Sequence, residues 1–486
     1  MTLLDASRGQ LDPRDAPLDL RAASSPPSLE PGAPRTATAS MTQAVLFERA
    51  LDEVTLPVAS LLAGLAMRAW PRDEDEDFRL REGALHALLH RTMEARRRSL
   101  RITRTSRGRG DVGEWAVHVE DGRWSGVSCV AIRSFAPFDA SCGCADFQTS
   151  RLGACEHVLA VVLARSKGRK SAWEPCRERA AGPDVAFDGL PHAKAPDDAL
   201  AALRVRSVDD DEHLAQLDAL VRARRRGRDT ATRASRLGRD AAVLRAVLER
   251  HARRELTLDP GAVTLLSNAL AETRRIVACG RERGSAEASL ASLRRGLYPY
   301  QREAVARFLE RGRLLLADDM GLGKTTQASA CCHAMLASGR LSRVLLVVPA
   351  ALKPQWRREW MATSHEPITL VDGSPADREK LYRETRRGVL VVGYEQLRID
   401  LPLVLGFAPE LVVLDEAQRI KNPTTQTAAA VRALSPAYRI ALTGTPIENR
   451  LSELVSLLSF VDPDALGPVW RATAHYTYER GDAAEG

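Results

Sequence analysis

The chain has 486 residues, enough for two or three domains, and its apolar fraction of 44% is ordinary for a globular protein. The formal net charge is +7, carried mainly by arginine. A basic balance favours polyanionic partners, although a genome that favours arginine codons would give the same composition. The longest uncharged stretch, residues 55–67, is too short to span a bilayer, and the N-terminus lacks a secretory signal. We therefore exclude a membrane partner and predict a cytoplasmic protein.

The first 110 residues divide into two predicted regions. Residues 1–42 are rich in proline, alanine, serine and charge, and we predict a disordered tail because they bury too little apolar surface. Met41 is an alternative start. Residues 43–110 are predicted to be helical, with Leu85, Leu88 and Leu89 at helical spacing. The basic stretch at residues 96–109 either contacts phosphates or forms a solvated face.

Alternating apolar residues replace the helical pattern from about residue 113. Trp115, Val117 and Val119 predict a strand, Asp121 and Gly122 a turn, and residues 127–132 a second strand. A cluster of cysteines follows, and then an apolar helix at residues 158–164.

Four residues of this cluster have the spacing of metal ligands. They are Cys142, Cys144, Cys155 and His157, in the pattern Cys-x-Cys, ten residues, Cys-x-His. Three thiolates and one imidazole complete a tetrahedral shell for Zn²⁺, which predicts a structural rather than a catalytic metal. The pattern resembles the SWIM zinc module, and we assign residues 111–166 to such a module. The resemblance implies binding of DNA or of protein, and the sequence does not choose between them.

Residues 167–290 are predicted to form a linker followed by a charged helical region. Four prolines lie between positions 175 and 196, and the residues after them are mostly helical in pattern and strongly charged.

Short apolar runs alternate with helical segments in residues 291–486. The runs are at residues 314–316, 344–348, 389–392, 411–414 and 440–442. Strands that are apolar on both faces are typical of a parallel sheet covered by helices. The sequence therefore predicts an α/β fold, preceded by the small α+β zinc module and the helical region.

A glycine-bearing segment at residues 318–325 follows the first apolar run and opens a helix. Gly321 and Gly323 allow the backbone to approach a phosphate, and the helix N-terminus offers free N–H groups to it. Lys324 is predicted to reach the β- and γ-phosphates of ATP, and Thr325 to bind Mg²⁺. The generic phosphate-loop pattern has glycine where this chain has Asp318.

Two adjacent acids, Asp415 and Glu416, follow the apolar run at residues 411–414. Ligands bind at the C-terminal edge of such sheets. We predict that Asp415 holds Mg²⁺ and that Glu416 orients and deprotonates the attacking water. An exposed acidic turn is the alternative.

These motifs resemble, in order, those of the Swi/Snf family of superfamily-two helicase-like ATPases, which carry aspartate at the first glycine position of the loop. The resemblance covers about residues 291–470 and implies a RecA-like lobe that binds ATP, Mg²⁺ and duplex DNA, in a nucleoid-associated protein. Segments 347–356 and 393–395 resemble two further motifs, and segment 442–449 resembles the motif that couples ATP to nucleic acid. The implied ATP-binding residues are Gln301, Asp319, Met320, Gly321, Leu322, Gly323, Lys324, Thr325 and Thr326. The implied coupling residues are Gln418, Thr443, Gly444 and Thr445.

Motors of this family have two lobes, and the second supplies an arginine finger. Only 37 residues follow Asn449, so we expect one lobe that binds ATP–Mg²⁺ weakly and hydrolyses ATP very slowly. Three interpretations stay open. The chain is an incomplete DNA-dependent ATPase whose second lobe was lost or lies on another chain, a non-catalytic nucleotide- and DNA-binding regulatory module, or a truncated gene product.

Overall fold

The protein is described by a computed structural model. It covers residues 54–69, 77–106, 111–121, 124–171, 173, 183–191, 198–206, 211–226, 233–319, 321–422, 425–444, 451–462 and 470–471. The predicted disordered tail at residues 1–42 lies outside this range. Among the described helices, none is both long enough and apolar enough to cross a bilayer.

The N-terminal unit begins with two helices and an antiparallel sheet. The helices are α1 (Leu56–Arg68) and α2 (Asp77–Arg97). The strands, which pair in chain order, are β1 (Leu100–Arg104), β2 (Gly113–Asp121), β3 (Trp124–Phe135) and β4 (Phe138–Cys142). Two helices follow the sheet, α3 (Ala145–Ser150) and α4 (Glu156–Ser166), and α4 packs against the four strands. The predicted strands and apolar helix are therefore present, whereas Gly122 of the predicted turn lies outside the described residues.

The prediction of a helical region through residue 110 is wrong at β1. Leu100, Ile102 and Arg104 are half-buried and alternate with exposed Arg101 and Thr103, which is strand periodicity. The edge strand pairs antiparallel with β2 along its whole length. The alternation is short and includes two arginines, so it gave little strand signal in the sequence. The strand that pairs with it, β2, follows only after a loop.

The described part of the predicted linker is folded into the N-terminal unit. Strand β5 (Val185–Ala186) pairs antiparallel with β6 (Arg204–Val205). Phe187 is fully buried, with its ring 6.0 Å from that of Phe147 in an edge-to-face arrangement. The linker prediction is therefore wrong here, because the prolines masked a short apolar segment that completes the core. The charged helical region is confirmed as α5 (Glu212–Arg226), α6 (Arg233–Ala252) and α7 (Pro260–Ser289).

Helix α7, 30 residues long, joins the two halves of the described chain. Its N-terminal end packs in the core of the N-terminal unit, where Ala262 and Leu266 are fully buried. Near its C-terminal end, Cys279 and Ala286 belong to the core of the following α/β unit. Trp470 also buries its ring in the N-terminal core and donates to the Ser150 carbonyl at 2.6 Å. The two units are therefore packed through shared elements.

Asp259 caps α7 and ties it to the N-terminal sheet. Its carboxylate accepts hydrogen bonds from Ser141 Oγ at 2.8 Å, Ala262 N at 2.7 Å and Phe187 N at 2.9 Å. The Arg133 guanidinium lies 2.7 Å away from this carboxylate.

We expect Asp259→Ala to lower the free energy of unfolding by about 3 kcal/mol, because the substitution breaks a buried ion pair and leaves several hydrogen-bond donors without an acceptor. Urea denaturation checks this value. Asp198→Ala, which removes a more exposed partner of Arg224 at 3.4 Å, is the control and should cost about 1 kcal/mol or less. Equal effects of the two would contradict the assignment.

The C-terminal unit is an α/β domain. Its helices are α8 (Pro299–Arg311), α9 (Lys324–Ala337), α10 (Lys353–Thr363), α11 (Pro375–Glu384), α12 (Tyr394–Ile399), α13 (Leu401–Phe407), α14 (Gln426–Ala433) and α15 (Leu451–Val461). Its strands are β7 (Arg313–Leu316), β8 (Arg343–Val348), β9 (Ile368–Leu370), β10 (Gly388–Gly393), β11 (Leu411–Leu414) and β12 (Tyr438–Leu442). They form one parallel sheet in the order β7-β12-β11-β8-β10-β9.

Both faces of this sheet are buried. On β11, Leu411 and Val413 pack into one core with α8, α9 and α10, whereas Val412 and Leu414 pack into the other. The predicted parallel α/β sheet is confirmed, and each of the five apolar runs forms a strand. The edge strand β9 was not predicted, because three half-buried residues carry little periodic signal.

Candidate nucleotide and metal sites

The predicted phosphate loop connects β7 to α9 at the C-terminal edge of the sheet. Gly321 and Gly323 have φ angles of +87° and +74°, which favour glycine, and α9 begins at Lys324. A Cβ atom on Gly323 would lie 2.7 Å from Gln301 Nε2, so a side chain there would also clash. The loop therefore leads directly into the N-terminus of α9, the position at which helices bind anions.

Lys324 extends across this loop. Its Nζ donates to the carbonyls of Asp318 at 2.7 Å and Asp319 at 3.0 Å. The Asp318 carboxylate accepts from Gln327 Nε2 at 2.9 Å, and Gln327 is fully buried in α9. Aspartate in place of the generic glycine thus joins the loop to the helix that follows it.

Gln301 lies behind the loop, on the first turn of α8. It is 4% exposed, and its Nε2 donates to the Leu322 carbonyl at 3.3 Å, as does the Tyr300 hydroxyl at 3.0 Å. Tyr298 and Tyr300 are 66% and 44% exposed. Their rings stack, with an angle of 4° between their planes. An exposed aromatic platform therefore stands beside the predicted ATP site.

The acid pair follows β11 at the same edge of the sheet. Asp415 Oδ1 accepts from the Glu416 backbone N–H at 3.0 Å, and Oδ2 accepts from Trp356 Nε1 at 2.7 Å. Burial raises the pKa of Asp415, and the nearby Glu416 charge adds to this, whereas the Trp356 hydrogen bond and the Lys324 ammonium lower it. Strands β7 and β11 both pair parallel with β12, so the loop after β7 and the acids after β11 lie at the same edge of the sheet.

A hydrogen-bonded chain leads away from the acid pair. Gln418 Nε2 donates to Glu416 Oε2 at 2.5 Å, and Thr443 Oγ1 donates to Gln418 Oε1 at 3.0 Å. Glu416 has a φ angle of +49°, a strained backbone conformation of the kind that clusters at functional sites.

The remaining predicted residues are placed as follows. Thr325 is half-buried and Thr326 buried in the first turn of α9, Asp319 is exposed, and Gly444 follows Thr443. Met320 and Thr445 lie outside the described residues.

The four predicted zinc ligands converge in the N-terminal unit. Cys142 ends β4, Cys144 caps α3, Cys155 caps α4 and His157 lies in its first turn. Their ligand atoms all lie within 4.8 Å of one another. This spacing suits a tetrahedral ion with bonds of about 2.0–2.3 Å. The donor set therefore fits Zn²⁺.

The surroundings of this cluster orient its histidine. His157 Nδ1 faces Cys155 Sγ at 3.9 Å, whereas Nε2 lies 3.4 Å from Ser128 Oγ. Burial raises the pKa of the Cys155 thiol well above its usual range, and contact with Cys142 lowers that of Cys144. Cys142 and Cys155 are buried and Cys144 is half-buried, so that three thiolates at this place would need a cation beside them. Ser128 was not predicted, because its contact with His157 spans two elements.

Known proteins resemble the C-terminal unit. The model of the SNF2-related domain matches residues 300–480. An uncharacterized ATP-dependent helicase of Mycoplasma genitalium is 35% identical over 195 residues, which cover 38% of this chain and 19% of that protein. The DNA repair and recombination protein RAD54B of Gallus gallus is 34% identical over 189 residues, covering 35% of this chain and 20% of the relative.

A solved structure also matches, the SWI2/SNF2 ATPase core of Sulfolobus solfataricus in complex with dsDNA. It is 31% identical, with a TM-score of 0.36, and the match covers 39% of this chain and 41% of that chain. The chain spans about a fifth of the length of the two curated relatives. The region similar to the SNF2-related domain, residues 300–480, contains both the predicted phosphate loop and the acid pair.

Proposed function

We propose that residues 291–486 bind ATP–Mg²⁺ and act as the nucleotide-binding lobe of a DNA-dependent Swi/Snf-type ATPase. The observation that carries the proposal is that β7, which leads into the phosphate loop, and β11, which leads into the acid pair, both pair parallel with β12, so that the loop and the acids follow the same edge of the sheet. An exposed acidic turn, the alternative for Asp415 and Glu416, does not account for their half-buried side chains and the hydrogen bonds that those side chains accept.

Each residue would have a distinct task. The N–H groups of the loop and the Lys324 ammonium would bind the phosphates, and the exposed Tyr298 and Tyr300 rings would lie beside the base. Thr325 and Asp415 would hold Mg²⁺, which would neutralise phosphate charge. One hydrogen bond at each Asp415 oxygen, within the described residues, leaves room in a group with about four acceptor sites. Glu416 would orient the attacking water and accept its proton.

Duplex DNA is the partner we propose. The support is the Swi/Snf-type domain, the basic net charge of +7 and the role in DNA repair and recombination that the name of the RAD54B relative states. The chain from Glu416 through Gln418 to Thr443 would couple the nucleotide to the nucleic acid. If arginine contacts phosphates, the affinity for DNA should fall steeply with salt concentration.

For the N-terminal unit we propose a structural Zn²⁺ site of the SWIM type. Cys142, Cys144, Cys155 and His157 would fill all four positions, so that the ion stabilises the fold and has no open position for catalysis. The zinc module would bind DNA or a protein partner.

A regulatory protein without ATP turnover is the second candidate function for the chain, and it would show nucleotide binding without hydrolysis.

Replacement of Lys324 by alanine tests the proposed nucleotide site. We expect the affinity for ATP–Mg²⁺ to fall by about 10- to 100-fold, the value of one charge-assisted hydrogen bond to phosphate. Isothermal titration calorimetry measures this change. Lys380→Ala removes an exposed ammonium group from α11 of the same domain and should bind ATP as the unaltered protein does. Equal affinities of the two variants would show that the loop is not the phosphate site.

A further inference from the structure

A buried indole group contacts the predicted magnesium-binding acid from outside the phosphate loop. Trp356 lies on α10, is 2% exposed, and places its Nε1 atom 2.7 Å from Asp415 Oδ2. The two residues are 59 positions apart in the chain. Indole is a donor only, so the N–H of Trp356 must donate to the carboxylate.

Asp415 is held at a second point, its backbone. The Tyr394 hydroxyl, on a fully buried residue at the start of α12, donates to the Asp415 carbonyl at 2.7 Å. The backbone N–H of Glu416 occupies Oδ1. Donors from three segments therefore fix both ends of Asp415 and restrict rotation of its carboxylate.

Helix α10 is itself held in place next to the sheet. Its first residue, Lys353, is 6% exposed, and its Nζ donates to the Val371 carbonyl at 2.8 Å and pairs with Asp372. Trp356 lies less than one turn further along, with its ring in the core beneath α9. The indole N–H therefore approaches Asp415 from a fixed position.

We propose that Trp356 is a positioning residue for Mg²⁺. This proposal rests on the proposed ATP–Mg²⁺ site. The indole N–H keeps the Asp415 carboxylate oriented, and it supplies a hydrogen bond to the charged form of a group that is half-buried. We do not assign Trp356 as a ligand of the nucleotide or of the metal. It acts through Asp415, so its loss should change the dependence of nucleotide binding on Mg²⁺ rather than the loop that holds the phosphates.

The chain offers a matched control in the same helix. Trp360 lies about one turn after Trp356, is fully buried, and donates from Nε1 to the Glu366 carbonyl at 2.7 Å. Trp360→Phe and Trp356→Phe thus each remove one indole N–H and a similar ring volume from one core. Only Trp356→Phe removes a contact with Asp415.

The experiment titrates Mg²⁺ into each full-length variant with a fluorescent, slowly hydrolysed ATP analogue, and measures the Mg²⁺ concentration at half-maximal binding. We expect Trp356→Phe to raise this concentration about 10- to 100-fold, as for outer partners of metal ligands, and excess Mg²⁺ to restore binding. Trp360→Phe should leave it unchanged. In an Asp415→Asn background, Trp356→Phe should cause no further shift.

Two results separate this inference from the proposed function. If the unaltered protein binds the analogue in a manner that depends on Lys324 and Mg²⁺, but Trp356→Phe and Trp360→Phe respond alike to Mg²⁺, the positioning role is wrong. If Lys324→Ala binds normally, the nucleotide site itself is wrong. If circular dichroism shows that Trp356→Phe does not fold, Tyr394→Phe is the second test, because it removes the hydrogen bond from the Tyr394 hydroxyl to the Asp415 carbonyl. An unchanged Mg²⁺ response in that variant would overturn the inference.

Discussion

Replacement of Cys155 by serine should abolish stoichiometric zinc binding and unfold the N-terminal unit. Cys155 is fully buried, and its ligand atom lies within 4.8 Å of those of Cys142, Cys144 and His157. The same residue caps α4 and packs in a core that also holds α1, α2 and the start of α7. Apparent binding energies of about 10–16 kcal/mol for structural Zn²⁺ rival the whole stability of a domain, about 5–15 kcal/mol.

Metal analysis and thermal melting check this expectation. We expect about one zinc per chain in the unaltered protein and about a tenth of that or less in Cys155→Ser, because structural sites bind zinc tightly only with all four ligands. The variant should also lose its cooperative melting transition. Cys129→Ser is the control, because Cys129 is exposed on β3 and lies outside the four-residue cluster. A purified protein without bound zinc, or two variants that melt alike, would refute the metal site.

Replacement of Glu416 by glutamine should lower ATP turnover by about 10²- to 10⁴-fold, the usual contribution of a general base. Glutamine keeps the shape of the side chain but cannot accept the proton of the attacking water. Glu416 accepts a hydrogen bond from Gln418 Nε2 at 2.5 Å, and its backbone has a left-handed φ angle of +49° directly after β11. The affinity for ATP should stay within a few-fold of the original, since the phosphate contacts are untouched.

Phosphate release measured with and without duplex DNA, together with ATP binding, separates these effects. Glu379→Gln is the control: Glu379 is an exposed acid on α11, outside the segments that resemble family motifs, and its loss should leave turnover unchanged. Turnover in Glu416→Gln equal to that of this control would assign the base elsewhere. Stimulation by DNA that is the same in a Gln418→Ala variant would remove Gln418 from the proposed coupling chain.

Local patterns in the sequence were sufficient for much of the α/β domain. The run at residues 411–414 predicted β11 and placed Asp415 and Glu416 at its end, because a short buried strand and the residues after it are adjacent in the chain. The same holds for Cys142 at the end of β4 and Cys155 at the start of α4. Strand β9 and the buried segment around Phe187 were missed because each is short and depends on a distant partner.

The amino-acid sequence by itself determined the phosphate loop, the acid pair and the four-residue metal cluster, since each is a set of residue types at short, fixed spacing. Only the tertiary structure decided what surrounds them. The contacts of Trp356 with Asp415, of Gln301 with the loop, and of Ser128 with His157 each join separate elements. Such contacts depend on how helices pack against sheets, and periodicity within one segment carries no record of that packing.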